Sequence, residues 1–152
     1  MNDIKTFVLL KYEILTSDRN TWHLCNTYPP EVNSKWAWRC AGDVEHLAKG
    51  HKEAEECIRV AKLYQDGLAT KEELKRAWTS FTAATASYHA AYYAYYAATA
   101  AYYAATADYA ATAEAAYYAA YYAATEGEKW NLYISWLIEE LCIYESQLTK
   151  EK

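Results

Sequence analysis

The stretch AYYAYYAATAAYYAATADYAATAEAAYYAAYYAAT, Ala91 to Thr125, decides how the rest of the chain is read. Residues 81–125 hold 22 alanines and 12 tyrosines in 45 positions, with no Leu, Ile, Val or Met among them. Alanine has the best intrinsic helix propensity, so the preference summed over this window is strongly helical. No proline or glycine falls between Gly67 and Gly127. The sequence therefore predicts one long helix over about 71–125, roughly 80 Å from end to end at ~1.5 Å per residue, with a bend or break inside the tract as the alternative, although no residue demands one.

At about 100° per residue the tract sorts into two sides. Tyr88, Tyr92, Tyr95, Tyr96, Tyr102, Tyr103, Tyr109, Tyr117 and Tyr121 fall in one broad arc. The opposite arc is a seam of small side chains that includes Ala94, Ala97, Ala98, Ala101, Ala105, Ala115 and Ala119, interrupted by one acid, Asp108. A methyl seam lets helices approach toward the short end of the usual ~8–10 Å separation. The tyrosine side has two readings. It is a half-wet core with rings inward and hydroxyls at the rim, or a recognition surface built from rigid amphipathic rings.

Outward from the tract, shorter helices are expected. Residues 3–15 carry Ile4, Phe7, Val8, Leu9, Leu10, Ile14 and Leu15, and their number favours a helix over a strand. Pro30 suits the first turn of a helix over about 31–49, with Trp36, Cys40, Val44, Leu47 and Ala48 on related faces. Gly42 weakens its middle and Gly50 ends it. From His51, the residues Ala54, Cys57, Ile58, Ala61 and Tyr64 recur at helical spacing until Gly67. Thr70 and Glu73 then form the signature of a capping box. The last helix puts Trp130, Ile134, Leu137, Leu141 and Leu148 on one face. The expected architecture is a single all-α domain, residues 1–152, with these helices folded along the long rod. Self-association through the seam is the other way to cover it.

The 152 residues are 53% hydrophobic and 23% charged, which excludes a disordered chain. A net charge of −5 argues against nucleic acid as partner, since binders of phosphate backbones carry a basic face. No membrane span is expected, because alanine is weakly hydrophobic and tyrosine prefers the interface. The first residues lack the layout of a signal peptide, so the expected location is the cytoplasm. Cys25, Cys40, Cys57 and Cys142 show no paired spacing. A zinc set from Cys40, His46, His51 and Cys57 does not match the usual ligand spacing, so neither a metal nor another cofactor is expected.

No nucleophile elbow, phosphate loop or close carboxylate pair is evident, and the expected function is binding without catalysis. The candidate binding residues are Tyr92, Tyr95, Tyr96, Tyr102, Tyr103 and Tyr109 on the ridge, Asp108 in the seam, and the cations Arg39 and Arg59. Arg39, Arg59, Lys62 and Lys129 are the partners considered for Asp108. A nucleotide-like ligand would use the rings for stacking and Arg39, Arg59, Lys62 or Arg76 for phosphate.

Three pieces in order, WAWRCAGDVEHLA (Trp36–Ala48), AEECIRVAKLYQDGLATKEELKRAW (Ala54–Trp78) and the alanine–aromatic tract, resemble an alanine-rich immunity-protein family and its phage-encoded Tyr/Ala-rich relatives. The similarity covers residues 36–137, and the doubled tyrosines depart from the single aromatics of the relatives. It implies a helical, non-catalytic inhibitor that binds a host or toxin protein in phage–bacterium conflict. A phage-encoded chain would act in the bacterial host cytoplasm. The alternative is a sponge for a small nucleotide-like signal held in a tyrosine-lined cleft.

Overall fold

The computed structural model describes residues 2–12, 28–84, 92–110, 119–124 and 129–150, and within them all side chains but those of 2, 92–96 and 107–110. Six helices make up one all-α domain: α1 (Asn2–Tyr12), α2 (Pro30–Val44), α3 (Lys52–Gln65), α4 (Lys71–Ala84), α5 (Tyr92–Ala110) and α6 (Lys129–Lys150). A 3₁₀ turn, Glu45–Ala48, extends α2, and 119–123 form a further short helical run. Among the described residues there is no strand, and no helix is long and apolar enough to cross a membrane.

The local signals act as the sequence predicts. Pro30 opens α2, where its missing N–H costs nothing. The Thr70 amide donates to Glu73 Oε1 at 2.9 Å, and the Glu73 amide donates to Thr70 Oγ1 at 3.1 Å, closing the capping box of α4. Gly67 ends α3 at φ +76°, and Gly50 makes the turn into α3 at φ +89°, both in the left-handed region that favours glycine. α1 covers Asn2–Tyr12 of the helix expected over 3–15, and 13–15 lie outside the described residues.

Gly42 sits inside α2 with open space around it: a Cβ added there meets nothing within 4 Å. Glycine in a helix interior costs roughly 0.5–1 kcal/mol relative to alanine. Gly42→Ala is therefore expected to raise the unfolding free energy by about that amount, read from urea denaturation.

The long rod is where the structure departs from expectation. The Trp78 indole on α4 stacks on the Tyr102 ring of α5, with centroids 4.0 Å apart and planes 15° off parallel. On one straight helix these residues, 24 apart, would be about 36 Å distant. The tract therefore folds back between α4 and α5. It folds back again after α5, because Tyr103 and Tyr122 stack at 5.7 Å with planes 2° apart. The physical reason is burial. A lone rod this long would leave its methyl seam and rings in water, whereas the folded form encloses both.

In the folded form α5 is the centre of the domain, packed against α2, the 3₁₀ turn and α3. Ala97, Ala98, Thr99, Ala100 and Ala101 are all buried, as are Ala104 and Ala105. Five successive buried residues exceed one helical turn, so this part of α5 is enclosed all round rather than along one seam. The two-sided reading is thus corrected: alanines from both arcs face protein. The neighbours answer with small side chains, Ala37, Cys40 and Ala41 on α2 and Ala54, Cys57 and Ala61 on α3. Beyond this centre, α4 covers α3, α6 covers α2, and α1 packs on α6.

Trp36 is fully buried, donates from Nε1 to the Tyr133 carbonyl at 2.8 Å, and meets Trp130 edge-on at 6.4 Å. The inward face of α6 is Trp130, Tyr133, Ile134, Leu137, Ile138 and Leu141. Leu148, expected on that face, is exposed.

Candidate functional site

Of the sequence-predicted site residues, Tyr102, Tyr103, Arg39 and Arg59 have described side chains. Tyr102 and Tyr103 are half-buried in a cluster with Trp78 and Tyr122, and burial pushes the Tyr102 phenol up. These rings pack against the core, and Tyr121, edge-on to Tyr122, is the exposed ring beside them. Tyr92, Tyr95, Tyr96, Asp108 and Tyr109 lie on α5, and their side chains fall outside the described residues.

Arg39 is directed away from the tyrosines. It donates to Glu140 Oε2 at 3.1 Å and to Glu139 Oε2 at 3.0 Å, and its guanidinium lies 4.6 Å from the centroid of the Trp136 ring. Arg59 is held by Glu56, one turn before it on α3, which raises the Arg59 pKa and lowers that of Glu56. Lys62 pairs with Glu45 at 2.6 Å, and Lys129 with Asp43 at 2.7 Å. All four cations considered for Asp108 are thus paired with other carboxylates.

Two concave places remain. A cleft of about 520 Å³ lies between α3 and the end of α2, lined by His46, Lys49, Glu55, Ile58, Arg59 and Lys62 among others. Among the described residues no tyrosine or tryptophan lines it, and its cations offer charge to a phosphate.

The second is a groove of about 920 Å³ between α1 and α6, with a more apolar lining. Ile4 comes from α1, and Trp136, Ile138, Cys142 and Ile143 come from α6. Three contacts build it. Arg39 reaches from α2 across Trp136 and fixes Glu139 and Glu140, which neutralises the acidic part of the wall. Glu145, buried on α6, accepts from Lys11 Nζ and from the Tyr12 hydroxyl, both at 2.7 Å, and ties α1 in place. Burial, and then the Glu145 carboxylate, push the Tyr12 phenol well above its usual range. Ile143 remains 48% exposed, a large apolar side chain facing the open groove.

Sequence reasoning missed this groove. The available signal was the second apolar face of α6, where Leu132, Trp136 and Ile143 lie off the main stripe. The arrangement offers apolar surface and fixed charge. Burial pushes the Cys142 thiol up, which disfavours the thiolate a nucleophile requires.

Elsewhere, burial pushes the Cys57 thiol up to about 12 and raises that of Cys40 as well, since both face the core. Among the described residues no three His, Cys, Asp or Glu side chains come together to hold a metal.

Asp43 Oδ2 accepts from Lys129 Nζ at 2.7 Å and from the Tyr133 hydroxyl at 2.8 Å, joining α2 to the start of α6. Burial pushes its pKa up, but these two hydrogen bonds outweigh burial and hold it below the ordinary 3.8. A depressed carboxyl contributes stability above its unfolded pKa and loses it as pH falls through the folded value. Stability is therefore expected to fall below about pH 4, and Asp43→Asn to be less stable at pH 7 with a shallower acid limb. Melting temperatures of both proteins from pH 7 to pH 2 check this.

Comparison of the chain with protein-family models, with curated proteins and with solved structures finds no match in any of the three.

Proposed function

We propose that this chain is a non-catalytic protein-binding module whose docking face is the groove between α1 and α6. The observation that carries the reading is the apolar lining of that groove, where exposed Ile143 lies beside the partly buried Ile4, Trp136 and Cys142. Concave apolar surface with fixed polar edges is what protein recognition sites use. The tyrosine ridge loses its role as the leading surface, because its described members stack on one another. By the family resemblance alone, the partner is a host or toxin protein that the chain inhibits in the bacterial cytoplasm.

The test is capture from a bacterial lysate on the immobilised full chain, beside Ile143→Glu. One or more proteins retained by the parent and lost from Ile143→Glu are expected. Retention equal to a tag-only control would sink the reading.

The rival, a nucleotide-like ligand, is left with the cleft beside α3, where Lys49, Arg59 and Lys62 supply charge and no tyrosine or tryptophan is among the described lining residues. A nucleotide panel is accordingly expected to leave the melting temperature unchanged, whereas a sponge would gain stability by mass action.

A further inference from the structure

We infer that the α1–α6 groove takes an amphipathic helix of another protein, with carboxylates flanking its apolar face. The inference rests on the protein-binding reading above and specifies its occupant.

The walls dictate a helix. Both are α-helices, whose backbone N–H and C=O groups are bonded within each helix, and no strand edge exists among the described residues. An extended segment laid over Ile4, Trp136, Ile138 and Ile143 would bury backbone groups with few partners to accept or donate. Ser135 cannot serve freely, since its hydroxyl already donates to the Leu132 carbonyl. A helix brings its backbone bonds with it and presents only side chains. The α6 wall runs from Ser135 to Lys150, about 22 Å at ~1.5 Å per residue, or four turns. That length accepts apolar residues at i, i+3 or i+4, and i+7 of the partner.

The charges dictate acidity. Lys5 and Lys150 stand on the lining, and neither has an acidic partner among the described residues. Glu139, the one carboxylate of the lining, is neutralised by Arg39. The groove edge is thus positive on a chain of net charge −5. Lys5 stands on the α1 wall and Lys150 at the C-terminal end of the α6 wall. A partner helix running along α6 meets them with carboxylates flanking its apolar face.

The test uses the full chain and three fluorescein-labelled 18-residue helical peptides. All three carry leucine at i, i+3, i+7 and i+10, and their flanks are Glu, Gln or Lys. By fluorescence polarisation the Glu peptide is expected to bind at least tenfold more tightly than the Lys peptide, with the Gln peptide between them. Ile143→Glu, at an exposed position, should weaken all three at least tenfold while leaving the circular dichroism spectrum unchanged. The double variant Lys5→Glu/Lys150→Glu should invert the charge order. Equal binding of the three peptides, or binding that Ile143→Glu leaves intact, overturns the inference. So does a dimer of the free chain that Ile143→Glu dissociates, because a second copy would then fill the groove. A lysate protein lost on Ile143→Glu, together with peptides that show no charge preference, leaves the protein-binding reading standing and removes this one. No peptide binding and no retained protein removes both.

Discussion

Trp36→Ala is expected to lower the unfolding free energy by about 3–5 kcal/mol, the usual cost of emptying a large aromatic site in a core. Trp36 is fully enclosed at the junction of α2 and α6, where the domain has its largest side chains. Its indole touches Trp130 and donates across to the Tyr133 carbonyl, so the substitution removes volume and an inter-helix hydrogen bond together. The rest of the core is rich in alanine and has few long side chains able to move into the void. A domain of this size has about 5–15 kcal/mol of stability, so the loss is a large share of the total. Trp36→Phe separates the two contributions. It keeps most of the ring and should lose only about 1–2 kcal/mol, mainly the hydrogen bond and the unfilled edge. Urea denaturation of the three proteins measures both steps.

Ala104→Leu is expected to destabilise by about 1–3 kcal/mol or more, although leucine is itself a good helix former. Ala104 is fully buried on α5, which α2 and α3 hold between them. The facing surfaces are already small residues, so they have nothing to withdraw. Three extra carbons must push the helices apart or force strained rotamers. The control is Ala83→Leu on α4, where the alanine is exposed and the change should stay within about 0.5 kcal/mol. Equal effects at the two positions would mean that α5 is not enclosed.

These two substitutions mark what was legible in the sequence. Helix starts and stops were, because Thr70–Glu73, Pro30, Gly50 and Gly67 act within four residues of themselves. The inward stripes of α3 and α6 were legible for the same reason, since periodicity is local. The fold-back of the alanine–tyrosine tract was not. Residues 85–91 contain no glycine or proline, and helix propensity alone runs straight through them. Trp78 on Tyr102 and Tyr103 on Tyr122 are long-range pairs, and they decide the path of the chain where local preference is silent.

The candidate site was legible only in part, for a related reason. Tyrosine was a fair guess for a recognition surface, yet the same rings are large enough to fill gaps between alanine helices. Tyr102 and Tyr103 do so. Arg39 and Arg59 were chosen as free cations, but Glu139, Glu140 and Glu56 lie within reach of them. Only Glu56 is near in sequence, three residues before Arg59. Ile4 and Lys5 join Trp136 and Ile143 through the docking of α1 on α6, which rests on Glu145. No short-range pattern announces that contact.

The central claim is that the alanine–tyrosine tract folds back on itself, with α5 buried at the centre of the domain. Nuclear Overhauser effects between the Trp78 indole and the Tyr102 ring, read in the full-length protein with both residues selectively labelled, test it most directly. The account predicts strong cross-peaks and ring-current-shifted tyrosine resonances, from centroids 4.0 Å apart. The contradicting result is the absence of those cross-peaks, with spin labels at exposed Thr79 and half-buried Tyr103 lying about 36 Å apart, the separation that a straight helix of ~1.5 Å per residue imposes.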